Sequence, residues 1–145
     1  EHQHTAPFLL QHPQQFHQPI ELGGTGLGGF DGLEFQQTRI AAGLAHFQQR
    51  IEHFRTHFTL QSVSIRLSNA RSRWGSCHTS GRISLNWRLI HLPSHLIDYV
   101  VVHELAHLVE MNHSPRFWAV VARVIPDYAA RRREIRKESH RYVAD

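Results

Sequence analysis

The segment from Glu34 to Phe58 carries apolar residues at intervals of three to five positions. These residues are Phe35, Ile40, Leu44, Phe47, Ile51 and Phe54. Such spacing places the apolar side chains on one face of a helix and the intervening polar residues on the other. The pattern therefore predicts an amphipathic helix over residues 34–58 whose apolar face packs against a core.

Two later segments alternate between polar and apolar residues and predict β-strands. The apolar positions are Val63, Ile65 and Leu67 in the first segment and Ile83, Leu85 and Trp87 in the second. An alternating strand buries one face and exposes the other. The Ser80-Gly81 pair marks a turn before the second segment, and we expect the two strands to form an antiparallel pair.

Residues 96–109 are apolar on nearly every side of a helix, and a helix of this kind is buried in a protein core. Pro93-Ser94 marks its start. Pro115 and Pro126 each mark the start of a further helix, the last of which is expected to run to about Arg141. The predicted fold class is α+β, with a small antiparallel sheet packed on the buried helix.

Residues 1–33 differ in composition from the rest of the chain. They are rich in His, Gln, Gly and Pro, and no helical or strand period is legible among them. A segment of this kind buries too little apolar surface to offset the entropy of folding. We expect a flexible segment over residues 1–33 and one folded domain over residues 34–145.

The overall composition limits the kinds of protein that this chain can be. No apolar run approaches the length of about 18 residues that a membrane span needs, so we expect no membrane partner. The single cysteine, Cys77, excludes an internal disulfide and suits a reducing compartment, which predicts a cytoplasmic protein. We interpret Cys77 as a small residue packed beside Trp74; an additional metal ligand and a reactive thiol are the competing interpretations.

The formal net charge is +4, and much of the basic excess lies near the C-terminus. The cluster consists of Arg131, Arg132, Arg133, Arg136, Lys137 and Arg141. A positive patch of this kind can bind nucleic acid or an acidic protein. We favour a solvated helix face, because Glu134 and Glu138 dilute the charge and are spaced for ion pairs with basic neighbours.

The buried helix contains an H-E-x-x-H pattern formed by His103, Glu104 and His107. Residues four positions apart lie on the same face of a helix, so the two imidazoles can bind one metal ion. Glu104 then flanks a metal-bound water as a general base, which is the arrangement that a zinc hydrolase needs. One Zn²⁺ ion per chain also gives these polar groups the partner that burial requires.

A catalytic zinc usually takes three protein ligands, and the leading third candidate is His113. A continuous helix would direct position 113 away from the metal, so the chain has to turn first. Asn112 is a suitable left-handed C-cap, and Ser114-Pro115 suits the first positions of a new helix. We therefore predict a corner at His113. Glu134 and Glu138 are the competing third ligands.

Further motifs around this helix resemble those of a known family. They are Arg73-Trp74-Gly75-Ser76-Cys77, Ile83-Ser84-Leu85-Asn86-Trp87-Arg88-Leu89 and Asn112-His113-Ser114-Pro115-Arg116-Phe117-Trp118. Together with the H-E-x-x-H helix they closely resemble the YgjP-like metallopeptidases, relatives of the SprT-like and Spartan-type proteases, over about residues 35–128. The resemblance implies a compact zincin domain with zinc ligands at His103, His107 and His113 and a general base at Glu104.

The resemblance also implies how an extended substrate binds. In zincins a peptide pairs with an edge strand that lies above the metal helix. By this resemblance residues 83–87 are the candidate edge, and Asn86 and Trp87 are the candidate substrate-binding residues. The alternative for Asn86 is a side chain that only ties a turn. The sequence leaves open whether Tyr128 reaches a developing oxyanion.

The functional hypothesis is a zinc-dependent metallopeptidase that hydrolyses peptide bonds in a peptide or protein substrate. One alternative is a zinc-stabilised interaction domain that uses the metal for folding alone. The other is a nucleic-acid-associated module that binds through the basic C-terminal helix, and it is not favoured over the peptidase.

Overall fold

The computed structural model describes residues 29–60 and 63–142, with side chains placed in residues 37–60 and 63–139. Its elements are helix α1 (Gly29–Arg55), strands β1 (Ser64–Ser68), β2 (Gly75–Cys77) and β3 (Arg82–Asn86), and helices α2 (Ser94–Ala106), α3 (Pro115–Val124) and α4 (Tyr128–Tyr142). A 3₁₀ helix over Trp87–His91 connects β3 to α2. Within these residues the fold combines helices with one small mixed sheet, which confirms the α+β class.

Helices α1, α3 and α4 lie close to where the sequence predicts them. α1 begins at Gly29 and ends at Arg55, where the sequence predicts a helix over residues 34–58. α3 begins at Pro115, and α4 runs to Tyr142. Residues 1–28 of the predicted flexible segment lie outside the described residues. No helix in the described part of the chain is both long and apolar enough to cross a membrane.

The sheet has the strand order β1-β3-β2. β1 and β3 are parallel, with Ile65 paired with Ile83, whereas β2 and β3 are antiparallel, with Ser76 paired with Ser84. The predicted antiparallel pairing of the two alternating segments is therefore wrong. The reason is β2, which lies between them in the chain and reverses its direction. β2 contains only Gly, Ser and Cys, so no apolar alternation could reveal it.

A tight turn over residues 78–81 connects β2 to β3. The Gly81 N–H donates to the His78 carbonyl at 3.0 Å, and the Ser80 N–H donates to His78 Nδ1 at 3.0 Å. Gly81 has a φ of 97°, a conformation that residues with a side chain rarely adopt. The turn predicted at Ser80-Gly81 is confirmed. The Gly81 carbonyl also accepts a hydrogen bond from the Ser64 N–H at 3.0 Å, which aligns the start of β1 with the start of β3.

The position of β3 corrects a second prediction. Residues 83–87 are expected to form an edge strand, but β3 has a hydrogen-bonded strand on each side. Ile83 and Leu85 are fully buried and Ser84 is 3% exposed, so both faces of the strand are covered as well. An extended substrate has no edge to pair with along residues 83–85, because β1 and β2 already occupy both sides.

Helix α2 is buried nearly all round, as predicted. Between Leu96 and Ala106 every residue is buried except Asp98. Asp98 accepts two hydrogen bonds from Arg50 of α1, at 2.8 Å from Nε and 3.0 Å from Nη2. The predicted apolar face of α1 is also buried at Phe47, Ile51 and Phe54. Apolar packing and a bidentate ion pair therefore hold α1 against α2.

Helix α4 packs against α2 and is anchored at two points. Near its C-terminal end, the fully buried Trp74 donates from Nε1 to Ser139 Oγ at 3.0 Å. Near its N-terminal end, Glu134 contacts His95 of α2 at 2.8 Å, and Arg131 donates to the His95 carbonyl at 3.1 Å. The basic helix therefore lies beside the helix that carries the H-E-x-x-H pattern.

Candidate metal centre

Three imidazole rings meet at one point beside the C-terminal end of α2. Their Nε2 atoms are 3.3 Å apart between His103 and His107, 3.1 Å between His107 and His113, and 3.2 Å between His113 and His103. His103 and His107 are buried, and His113 is half-buried. The structure thus brings together the three histidines that the sequence singles out.

The spacing and chemistry of these nitrogens fit a metal ion. Burial, followed by the neighbouring histidines, lowers the pKa of His103 well below its usual value. Burial, followed by His113, lowers the pKa of His107 to about 3. Neutral imidazoles that turn lone pairs towards one another repel unless a cation lies between them. A tetrahedral ion with bonds of 2.0–2.1 Å would hold its nitrogen ligands about 3.3 Å apart, close to the separations observed.

The corner that carries His113 forms earlier in the chain than predicted. α2 ends at Ala106 rather than continuing to Asn112, and the Leu108 and Val109 N–H groups donate to Leu105 and Ala106 in a tight turn. α3 then begins at Pro115, where Ser114 Oγ accepts from the Phe117 N–H at 3.4 Å, as its predicted N-cap role requires. The early end of α2 gives the chain room to bring His113 back over His107.

Phe117 touches all three imidazoles and is fully buried. Its ring centroid lies 4.3 Å from that of His107, in a stacked arrangement, and 4.9 Å and 5.0 Å from those of His113 and His103, edge to face. A rigid aromatic ring in this position fixes the orientation of each imidazole. Sequence spacing alone does not assign Phe117 a place beside the histidines, because that contact depends on the angle between α2 and α3.

Tyr99 supports His103 from the previous turn of α2. Its hydroxyl lies 3.4 Å from His103 Nδ1 and accepts the Nδ1–H when Nε2 faces the metal position. Such outer partners fix the tautomer and direction of a metal-binding histidine. Burial is the main cause that raises the pKa of Tyr99, so its hydroxyl stays neutral. Tyr99 and His103 are four positions apart, so their contact on one face of the helix could have been predicted from the sequence.

Glu104 is fully buried and lies against β2. A Cβ atom added to Gly75 would lie 2.9 Å from Glu104 Oε2, so the carboxylate occupies space that only glycine leaves open. Burial lowers the pKa of Arg73, and the nearby Glu104 carboxylate opposes that shift. Burial and, secondarily, Glu104 raise the pKa of the Cys77 thiol. Arg73, Gly75 and Cys77 therefore all lie near the Glu104 carboxylate.

The competing metal ligands lie elsewhere. In the part of the chain that the structure describes, His103, His107 and His113 are the group of His, Cys, Asp and Glu side chains placed to hold a metal. Glu134 contacts His95, and neither it nor Glu138 joins the three histidines. Cys77 is 2% exposed and donates to the His78 carbonyl at 3.6 Å, as a packed and neutral thiol.

The two predicted substrate-binding residues follow one another at the end of β3. Asn86 is fully buried, and its amide donates to the carbonyls of Ala70 and Arg73 at 2.8 and 3.0 Å and accepts from the Arg88 N–H at 2.9 Å. Trp87 is partly exposed and donates from Nε1 to Asn69 at 3.0 Å. The amide of Asn86 therefore ties the 70–73 loop to the 3₁₀ helix. Substrate contact by either residue stays a prediction.

Comparison with known proteins places this chain in a known family. The solved structure of the metallopeptidase zymogen of Pyrococcus abyssi abylysin resembles this fold with a TM-score of 0.53 and 22% identity, covering 72% of this chain and 99% of that one. No curated protein matches the sequence. A family model described as YgjP-like, metallopeptidase domain, matches residues 34–138. The match spans well over half of the chain, which therefore belongs to the YgjP-like metallopeptidase family.

Proposed function

We propose that this chain is a zinc-dependent metallopeptidase that hydrolyses peptide bonds in peptides or proteins. The observation that carries the proposal is the convergence of the Nε2 atoms of His103, His107 and His113, each within 3.3 Å of the other two, beside the helix that carries Glu104. Three neutral nitrogen ligands leave a fourth position for water, as catalytic zinc sites do. Zinc, when bound, lowers the pKa of that water and polarises the substrate carbonyl.

In this proposal Glu104 moves the proton. Its carboxylate takes a proton from the attacking water, whose oxygen bonds to the carbonyl carbon. The same carboxylic acid then gives the proton to the amide nitrogen as the carbon–nitrogen bond breaks. Gly75 of β2 lies against the Glu104 carboxylate and limits its position. Tyr99 and Phe117 orient the imidazoles, so the ligands are held before substrate arrives.

The test compares the wild-type protein with Glu104→Gln. We expect about one zinc per chain in both proteins, and a loss of peptide cleavage by a factor of about 10² to 10⁴ in the variant. Glu52→Gln, on the exposed side of α1, is the matched control and should retain full activity. Zinc binding without any cleavage that depends on Glu104 would instead support a domain that uses the metal for folding alone.

A further inference from the structure

His113 differs from the other two histidines in how the chain holds it. His103 and His107 lie at the C-terminal end of α2, where the helix backbone and the buried packing around it restrict both side chains. His113 is half-buried and lies between α2 and α3, outside any helix or strand. The position of its imidazole therefore depends on side-chain contacts rather than on a helix backbone.

Trp118 of α3 borders two of the three imidazoles. Its ring is stacked with that of His113, with centroids 5.9 Å apart and ring planes at 23°. It meets the ring of His103 edge to face, with centroids 5.8 Å apart. The neighbouring Phe117 ring lies edge to face against Trp118 at 4.8 Å and against His113 at 4.9 Å. Trp118 therefore links the corner histidine to a histidine of the helix.

Trp118 is itself held by contacts from α4. The Tyr128 ring is stacked with that of Trp118, with centroids 5.2 Å apart and ring planes at 18°. The guanidinium carbon of Arg132 lies 4.9 Å from the Trp118 ring centroid. Because α4 packs against α2 and is hydrogen-bonded to it, these contacts connect the corner at His113 to a helix that is anchored on the helix of the other two histidines.

We propose that Trp118 is a positioning residue that holds His113 at the metal, and that Tyr128 supports Trp118 in this role. The inference rests on the metal site of the proposed function and adds the residues that complete it. Aromatic rings with centroids 4.5–7 Å apart stabilise one another beyond the area that they bury. His103 is already held by α2 and by Tyr99, so the loss of Trp118 acts chiefly on His113.

The first experiment measures the zinc affinity of the full chain by competition with a coloured chelator. Trp118→Ala should weaken zinc binding by about 10- to 100-fold, as changes in residues that orient metal ligands typically do. Trp118→Phe keeps an aromatic ring and should stay within about threefold of wild type. Val124→Ala removes half-buried apolar surface at the far end of the same helix and should bind zinc as wild type does. Equal affinities of Trp118→Ala and Val124→Ala would overturn the proposal.

A double-mutant cycle shows whether Trp118 acts through His113. His113→Ala removes the third ligand, so a residue that only positions this ligand then has nothing left to position. Adding Trp118→Ala to His113→Ala should therefore weaken zinc binding by less than about threefold. A role in the packing of the domain alone predicts the same loss in both backgrounds, and that result would contradict the proposal. Trp118→Leu takes the place of Trp118→Ala in the cycle if the smaller side chain prevents folding, with the same expected coupling.

The absorption spectrum of bound Co²⁺ gives a readout that needs no peptide, because its bands depend on the number and geometry of the ligands. The spectrum of Trp118→Ala should approach that of His113→Ala, whereas Val124→Ala should keep the wild-type spectrum. A wild-type spectrum in Trp118→Ala would count against the proposal. Metal binding that depends on Trp118 in a protein that cleaves no peptide would support this inference and contradict the peptidase proposal alone. A wild-type protein that binds no metal would contradict both.

Discussion

At the scale of single residues, a missing side chain matters as much as a present one. Glu104 is fully buried, and it fits beside β2 only because Gly75 has no Cβ. Atoms of Glu104 would lie 2.9 to 3.2 Å from an added Cβ, closer than packed carbon atoms tolerate. Strand β2 supplies no metal ligand, but its Gly75 helps to determine how far the Glu104 carboxylate lies from the histidines.

Replacing Gly75 with Ala is expected to displace the Glu104 carboxylate and to lower kcat by about 10- to 100-fold, because small misplacements of a catalytic group are costly. Zinc content should stay at about one per chain, since the three atoms nearest the new methyl group all belong to Glu104. Ser76→Ala, on the other face of the same strand, is the control. Activity of Gly75→Ala equal to that of the control would contradict the steric role assigned to Gly75.

At the scale of elements, the sequence predicts helices and their local chemistry better than it predicts the sheet. His103 and His107 are one helical turn apart, and a new helix begins at Ser114-Pro115. The histidine group could therefore be inferred from local spacing. The parallel pairing of β1 with β3 could not be inferred in this way, because it depends on the three-residue strand β2 between them. The contact between Gly75 and Glu104 joins two distant elements, and no periodic pattern encodes it.

Asn86 provides a prediction at this scale, because its amide joins β3, the 70–73 loop and the 3₁₀ helix. Asn86→Ala leaves two loop carbonyls without their donor and is expected to lower the free energy of unfolding by about 2–4 kcal/mol. Urea unfolding measures this loss, and the exposed Asn69→Ala is the control. A raised KM with an unchanged free energy of unfolding would show that Asn86 contacts substrate instead.

At the scale of the whole molecule, α2 is both the centre of the core and the carrier of the proposed chemistry. α1 holds it through Arg50 and Asp98, and α4 holds it through His95. His103 and His107 are therefore buried by the same packing that stabilises the domain. Protonation of these rings is coupled to unfolding of the entire domain, because water reaches them only when the packing opens.

The metal-free protein should consequently lose stability as the pH falls below about 6.5. The pKa values of His103 and His107 lie below 6.5 in the folded protein, so the unfolded chain binds more protons. Stability then rises with pH in this range and falls on acidification, by about 1.4 kcal/mol per pH unit for each proton bound only on unfolding.

Urea unfolding of chelator-treated protein between about pH 7.5 and pH 5 measures this dependence. His53 is exposed on α1, and His53→Gln should leave the slope unchanged. A free energy of unfolding that is constant over this range would show that the buried imidazoles do not control acid stability.

The three imidazoles come from one short stretch of chain, between residues 103 and 113. Closing so short a loop costs little entropy, so in the proposed peptidase we expect these ligands to meet before the rest of the domain has folded. Gly75 and Glu104, in contrast, meet only once β2 has docked on α2. In the proposed peptidase we therefore expect metal binding and the placement of the general base to be separate steps, the second of which requires the finished fold.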